Sequence, residues 1–244
     1  MPDRRIHRGP HPDDERLFAP EMLPRLREAT GDLCWLLSRG YTSVSALKLV
    51  GDRFDLEQRQ RIAVSRCACS DDARARRRER QVALASLGAQ KLLIDGYNIL
   101  TTIEAALAGG FVLAARDGAF RDMASMHGTW RRVAETEPAA ELIGSFLEQT
   151  GVAACHWYLD RPVSNSGRLR RILLDLSGAN QWPWEVDLVN DPDRILATAT
   201  VPVATADSAI LDRCPAWVNL AAEIIRDRVP QPRVIDLGNA GRGS

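Results

Sequence analysis

Apolar and polar positions change their rhythm twice along the chain. Residues 1–20 carry Pro2, Pro10, Pro12 and Pro20 among charges, with too little apolar surface to offset the entropy of ordering, and predict a polar tail. From Glu21, Leu23, Leu26, Leu33, Leu36 and Leu37 recur at helical spacing and Gly40 marks a stop. A second helix runs from Ser43 through Ala46, Leu47 and Val50 to Gly51. A third opens at Asp55, placed to cap with Gln58 three residues on. Residues 21–70 therefore predict a small helical domain. The run DDARARRRER begins a segment, 71–90, that reads as an arginine-rich linker or a solvated helix.

From Lys91 to the end of the sequence, strand-length apolar runs alternate with helical patterns. The runs are KLLID (91–95), FVLAA (111–115), ACHWYLD (154–160), WEVDLV (184–189), VPVAT (201–205) and RVIDL (233–237). Helical patterns cover Phe120–Val133, Ala139–Gln149, Ser166–Leu176, Asp193–Ala199 and Trp217–Arg228. This alternation predicts an α/β domain over 91–244, a mostly parallel sheet flanked by helices and preceded by the small all-α domain.

Composition narrows the classes. The 244 residues hold 32 basic and 32 acidic side chains, which excludes the bulk basicity of a purely electrostatic nucleic-acid coat. The balance is uneven: residues 1–90 carry 17 basic and 13 acidic groups, and the remainder is net acidic. No run approaches the 18 apolar residues of a membrane span, and the polar start has no hydrophobic signal region, so the expectation is a cytoplasmic protein. Five cysteines (34, 67, 69, 155 and 214) lack CxxC spacing and read as reduced thiols.

Ligands of open α/β sheets bind at the carboxyl ends of the strands. There the runs end in aspartates: Asp95 closes KLLID, Asp160 closes HWYLD, Asp207 follows VPVAT, and Asp187, Asp191 and Asp193 cluster after WEV. Carboxylates gathered at adjacent strand ends repel one another unless a hard divalent cation, Mg²⁺ or Mn²⁺, neutralises them. Such a site suits phosphodiester hydrolysis. No GxxxxGK[ST], GxGxxG, HExxH or GxSxG motif offers another chemistry.

The segments IDGYN (94–98) and VATADSAIL (203–211), with an acid ending a later strand and an acid at a helix start between them, resemble PIN-like and NYN-type nuclease domains. Residues 26–61 resemble the small helical domain of an uncharacterised prokaryotic family of unknown function. IDGYNILTTIEAALAGG, RDGAFRD, MHG, DRPVSNSG, DPDRIL and ATADSAIL resemble the second domain of that family. The resemblance implies a metal-dependent nuclease acting on RNA rather than DNA. Its metal ligands would be Asp95, Asp160, Asp193 and Asp207, with Asn98 bonding substrate or a ligand carboxylate among the catalytic residues. The segment with Asp117, Asp122 and His127 departs from the general nuclease pattern.

Each assignment has a structural competitor. Asp191 before Pro192 is an ordinary helix cap, so the helix-start ligand stays open between Asp187, Asp191 and Asp193. Asp207 suits a cap as well as a ligand. Ser164, Asn165 and Ser166, followed by Arg168, Arg170 and Arg171 and preceded by Arg161, could receive a phosphate at a helix start or simply cap it. His156 reads as a satisfied core histidine, and Trp182 and Trp184 as packing before base stacking. The rival functions are a non-catalytic RNA- or nucleotide-binding module and a helix-turn-helix DNA binder using Arg59, Arg61 and Arg66 near Gly51. No membrane partner is expected, and self-association is left open.

Overall fold

The computed structural model describes residues 7–123 and 128–239, so His127 lies outside the described residues. Five helices come first: α1 (Asp14–Leu17), α2 (Leu23–Ser38), α3 (Ser43–Arg53), α4 (Gln58–Cys67) and α5 (Asp71–Arg80). Then follow β1 (Lys91–Asp95), α6 (Gly96–Leu107), β2 (Val112–Ala114), β3 (Phe120–Asp122), α7 (Thr136–Thr150), β4 (Ala154–Asp160) and α8 (Ser166–Asn180). The chain continues through β5 (Trp184–Val189), α9 (Pro192–Ala197), β6 (Val203–Ala204), α10 (Ser208–Leu211), β7 (Trp217–Val218), α11 (Leu220–Arg228) and β8 (Val234–Asp236).

The main sheet is five-stranded in the order β5-β4-β1-β6-β7, and every pairing is parallel. After β1 the chain builds outward through β4 and β5, then recrosses to add β6 and β7 on the other side. The connections leaving β1 and β6 diverge, which opens a crevice beyond their carboxyl ends. Helices cover the sheet, and Ile94, Ile99, Leu100, Ile143, Trp157, Leu173 and Ile224 fill the buried core. Trp182 and Trp184 belong to that core, with Trp184 centred 4.9 Å from both Trp157 and Trp182. A Cβ on Gly144 would meet the Trp182 ring at 2.2 Å, so α7 must present a glycine there.

Three segments differ from their sequence patterns. The FVLAA and RVIDL runs leave the main sheet and form, with β3, a second sheet ordered β3-β2-β8. Its Leu113 and Ile235, with the adjoining Ala115, Met123 and Leu237, share one core with Leu26, Leu33, Val50 and Val64 of the helical region. Phe120–Asp122 pairs antiparallel with β2 instead of opening a helix, and residues 128–133 are not helical. Trp217 sits in β7, fully buried, with its indole N–H donating to the Arg77 carbonyl at 2.6 Å, so the last long helix starts at Leu220.

From His7 onward the first segment is docked rather than loose. Leu17 and Phe18 are buried, the Arg8 guanidinium pairs with the fully buried Glu104, and Asp14 pairs with Arg59. Its charges are partners for charges buried elsewhere, which a count of local apolar residues does not reveal. The third helix opens two residues later than its spacing suggests, with a reciprocal capping box between Glu57 and Gln60, while Asp55 turns the chain at φ 44°. Residues 71–80 form α5, capped by Ser70, with Arg77 buried against the α/β part. Among the described residues no helix is long and apolar enough to cross a membrane. All five cysteines are buried free thiols.

Candidate functional site

Asp95 stands at the end of β1, where Gly96 starts α6 at once. A Cβ at Gly96 would lie 2.5 Å from Leu159 Cδ2 and 3.0 Å from the Tyr158 carbonyl, so only glycine lets α6 begin this close to β4. Across the crevice, Thr205 Oγ1 donates to Asp95 Oδ2 at 2.7 Å, and Asn98 Oδ1 accepts the Ala206 N–H at 2.9 Å. Asp207 Oδ1 accepts the N–H groups of Ala209 and Ile210 at 2.7 and 3.2 Å, capping α10. Both readings of Asp207 meet here: it caps a helix and faces the cleft.

Asp95, Asn98, Asp160, Asp193 and Asp207 line one cleft of about 840 Å³. Burial pushes the Asp95 carboxyl up to about 7; the Thr205 hydrogen bond opposes the rise, and the charges of Asp207 and Asp193 add to it. Burial raises Asp193 too, helped by Asp207, Asp191 and Asp160, while Asp160 is raised by burial and then by Asp191. These acids feel one another through the cleft. Among the described residues, however, no three His, Cys, Asp or Glu side chains stand close enough together to cage a metal ion.

The other candidates after β5 have separate duties. Asp191 Oδ1 accepts the Arg194 N–H at 3.0 Å and caps α9, which leaves Asp193 in the first turn facing the cleft. Asp187 lies outside it and pairs with His156 Nε2 at 2.9 Å. His156 also meets the Tyr158 hydroxyl at 3.2 Å, so it is half-buried and satisfied on the face of the sheet.

The opposite wall comes from the helical region: Leu33, Leu37, Ser43, Arg66, Cys69 and Arg77 line the same cleft. Asp117 binds Arg77 at 2.6 Å and Arg121 at 2.7 Å. Burial works against the Asp117 charge, but Arg121 and then Arg77 hold its carboxyl below the usual range. Asp122 accepts the hydroxyls of Thr101 and Thr102, both at 3.1 Å, and its carbonyl accepts from Arg66.

The comparisons with known proteins bear on this two-walled arrangement. The family pattern described as "Domain of unknown function (DUF5616)" matches residues 84–223, more than half of the chain. The chain belongs to the DUF5616 family. A second pattern, "Protein of unknown function (DUF434)", matches residues 25–80. The chain is also 28% identical over 202 residues to the "Uncharacterized protein MJ0935" of Methanocaldococcus jannaschii, covering 82% of this chain and 96% of that protein. No solved structure matches the chain. The DUF434 match ends with α5 and the DUF5616 match begins beside β1, so the cleft lies between the two matched regions.

Within the DUF5616 domain, the expected phosphate cradle lies at the start of α8 with part of its donors engaged in the protein's own hydrogen bonds. The amides of Ser164, Ser166 and Arg168 donate to the carbonyls of Gly128, Val163 and Asn165. Asn165 Nδ2 donates to the Trp130 carbonyl and the Ser166 hydroxyl to that of Arg161. The loop thus engages part of its donor set internally. Arg161 donates to the Leu188 carbonyl and Arg170 to that of Val186; neither they nor Arg168 and Arg171 line the cleft. The cleft's cations are Arg66, Arg77 and Arg121, and Arg59 and Arg61 of the helix pair are engaged with Asp14 and Asp52. Sequence spacing missed Thr205 and Tyr97. The only signal for either was its position inside a site motif, TAD (205–207) or IDGYN.

Proposed function

We propose that the chain is a divalent-metal-dependent nuclease of the PIN-like type, acting on RNA in the cleft between the sheet and the helical region. One observation carries this reading: Asp95, held near neutral pKa at the switch-point crevice, shares its cleft with Asp160, Asp193 and Asp207. All donors are hard oxygens, and Asp160 Oδ1 is buried without a hydrogen-bond partner. This set fits Mg²⁺ or Mn²⁺. Mg²⁺ keeps several waters and needs only one or two carboxylates plus substrate phosphate, so a preformed cage is not required. The ion, held by Asp95 and Asp207 with Asp160 and Asp193 alongside, would polarise a phosphoryl oxygen and acidify a water.

The protein's own groups divide the remaining work. Thr205 fixes the orientation of the Asp95 carboxylate through its hydroxyl. Asn98 has committed its oxygen to Ala206, so its amide donors serve a ligand. Arg66, 30% exposed on the far wall, supplies a guanidinium for a phosphate.

The test is single-turnover cleavage of labelled RNA in Mn²⁺ and in EDTA. Asp207→Asn keeps a capping side chain and should lose cleavage at least a hundredfold while still binding RNA. Cleavage at the wild-type rate in that variant, free of contaminating nuclease, would overturn the reading.

A further inference from the structure

Two buried guanidinium groups tie down the backbone on either side of Asp207. Arg121 Nε donates to the Ala206 carbonyl at 2.8 Å, and Arg77 Nη2 donates to the Ser208 carbonyl at 3.2 Å. Both arginines also reach Asp117, Arg77 at 2.6 Å and Arg121 through a fork of 3.0 and 2.7 Å. Arg77 makes a second fork to Asp212, with both bonds at 2.8 Å. The residues before and after Asp207 are thereby held in one network centred on the buried Asp117.

Stability alone does not account for this construction. Taking two guanidinium groups and a carboxylate out of water costs much of what their pairing returns, and apolar side chains of the same volume often serve as well. What the forks add is direction, because a guanidinium holds its donors in one plane and aligns its partners to match. Here the partners include the two carbonyls that bracket a cleft acid. Asp207 Oδ1 is committed to the cap of α10, and among the described residues Oδ2 has no hydrogen bond. A ligand therefore meets an oxygen whose position is set by the cap and by the backbone beneath it. We propose that Arg77 and Arg121 are positioning residues that aim the Asp207 carboxylate at a divalent ion, so that the helical region completes the metal site. Arg77 lies in the DUF434 match, whereas Asp117, Arg121 and Asp207 lie in the DUF5616 match. The assignment rests on reading the cleft as a metal site. Groups that stand behind a metal ligand act through its geometry, and their loss typically weakens metal binding by about 10–100-fold.

The experiment titrates Mn²⁺ into the full chain without RNA and reads the free ion by electron paramagnetic resonance, below the melting transition of every variant. Arg77→Lys and Arg121→Lys keep the charge but lose the fork, and each should bind Mn²⁺ at least tenfold more weakly than the wild type. Arg77→Met should bind more weakly too, although it takes a positive charge away from the cleft. Charge alone gives the opposite sign: Arg77→Met would bind more tightly than the wild type and the lysine variants would be unchanged. Arg59→Met controls for lost stability, since it strips the buried Asp14 of its partner without touching residues 206–208, and it should keep the wild-type affinity. If Arg77→Met does not fold, the lysine variants decide. Wild-type affinity in the folded lysine variants, or an equal loss in Arg59→Met, overturns the proposal. Mn²⁺ uptake that weakens in the lysine variants, without RNA cleavage by the wild type, keeps the positioning role and removes the nuclease reading; cleavage and uptake that both survive the lysine substitutions do the reverse. A wild type that takes up no Mn²⁺ removes both.

Discussion

Thr205 and Asp95 join the ends of two neighbouring parallel strands through one hydroxyl. Thr205 Oγ1 donates to the carboxylate at 2.7 Å and accepts the Asp207 N–H at 3.0 Å. The acid of the first strand and the acid after the sixth are thus set relative to one another by a neutral side chain.

This arrangement makes stability depend on pH through Asp95. In the unfolded chain its carboxyl ionises near pH 4, and in the folded protein at about 7. Between those values the folded state holds the extra proton, so the free energy of unfolding falls as pH rises through the window and levels off above it. Asp95→Asn removes the penalty and can still accept from Thr205. It should exceed the wild type in stability at pH 8, by up to about 4 kcal/mol, with the gap closing toward pH 4. Urea titrations at several pH values measure this. Equal stabilities at pH 8 would show that the carboxylate is well solvated.

Divalent cations should act on the same charge. A ligand that binds only the folded state raises its stability by mass action, about 2.7 kcal/mol at a hundredfold excess over Kd. Millimolar Mn²⁺ should raise the melting temperature of the wild type at pH 8 and barely move that of Asp95→Asn. A rise of the same size in both proteins would mean that the ion binds elsewhere.

Arg77 predicts a different behaviour. Its guanidinium, 4% exposed, bridges Asp117 and Asp212, and its carbonyl accepts the Trp217 indole. Arg77→Met leaves Asp117 buried with Arg121 alone and should cost about 3 kcal/mol in urea unfolding. Limited trypsin digestion of the native chain should spare residues 71–80 despite five arginines, and in Arg77→Met it should cut there. Early cleavage in the wild type would mean that α5 undocks.

The main sheet was legible because each of its longer strands announces itself locally: KLLID, ACHWYLD and WEVDLV become β1, β4 and β5 with their written bounds. The aspartates lining the cleft were legible for the same reason, since strand ends are where α/β sheets bind ligands. What local pattern cannot carry is partnership at long range. Arg8 is separated from Glu104 by 96 residues and Arg77 from Asp212 by 135, so segments rich in charge looked wholly solvated although each docks through one such buried ion pair. FVLAA and RVIDL read as strands of the main sheet because periodicity says nothing about which sheet a strand joins. The loop at Ser164 has the composition of an anion cradle, and only its hydrogen bonds show which of its donors are engaged within the protein.

Strand β8 has a consequence for the order of events at the ribosome. Ile235 and Leu237 complete the core of the helical region, and Arg27 Nε donates to the Asp236 carbonyl at 2.9 Å. The helices lining one wall of the cleft are synthesised first, yet part of their apolar face is covered by residues translated after every carboxylate of the other wall. A nascent chain therefore carries an incompletely covered helical region until residues 234–237 have emerged. That late strand pairs in parallel with β2, so the helical region gains its full cover only after the carboxylate-bearing segments of the cleft have been made.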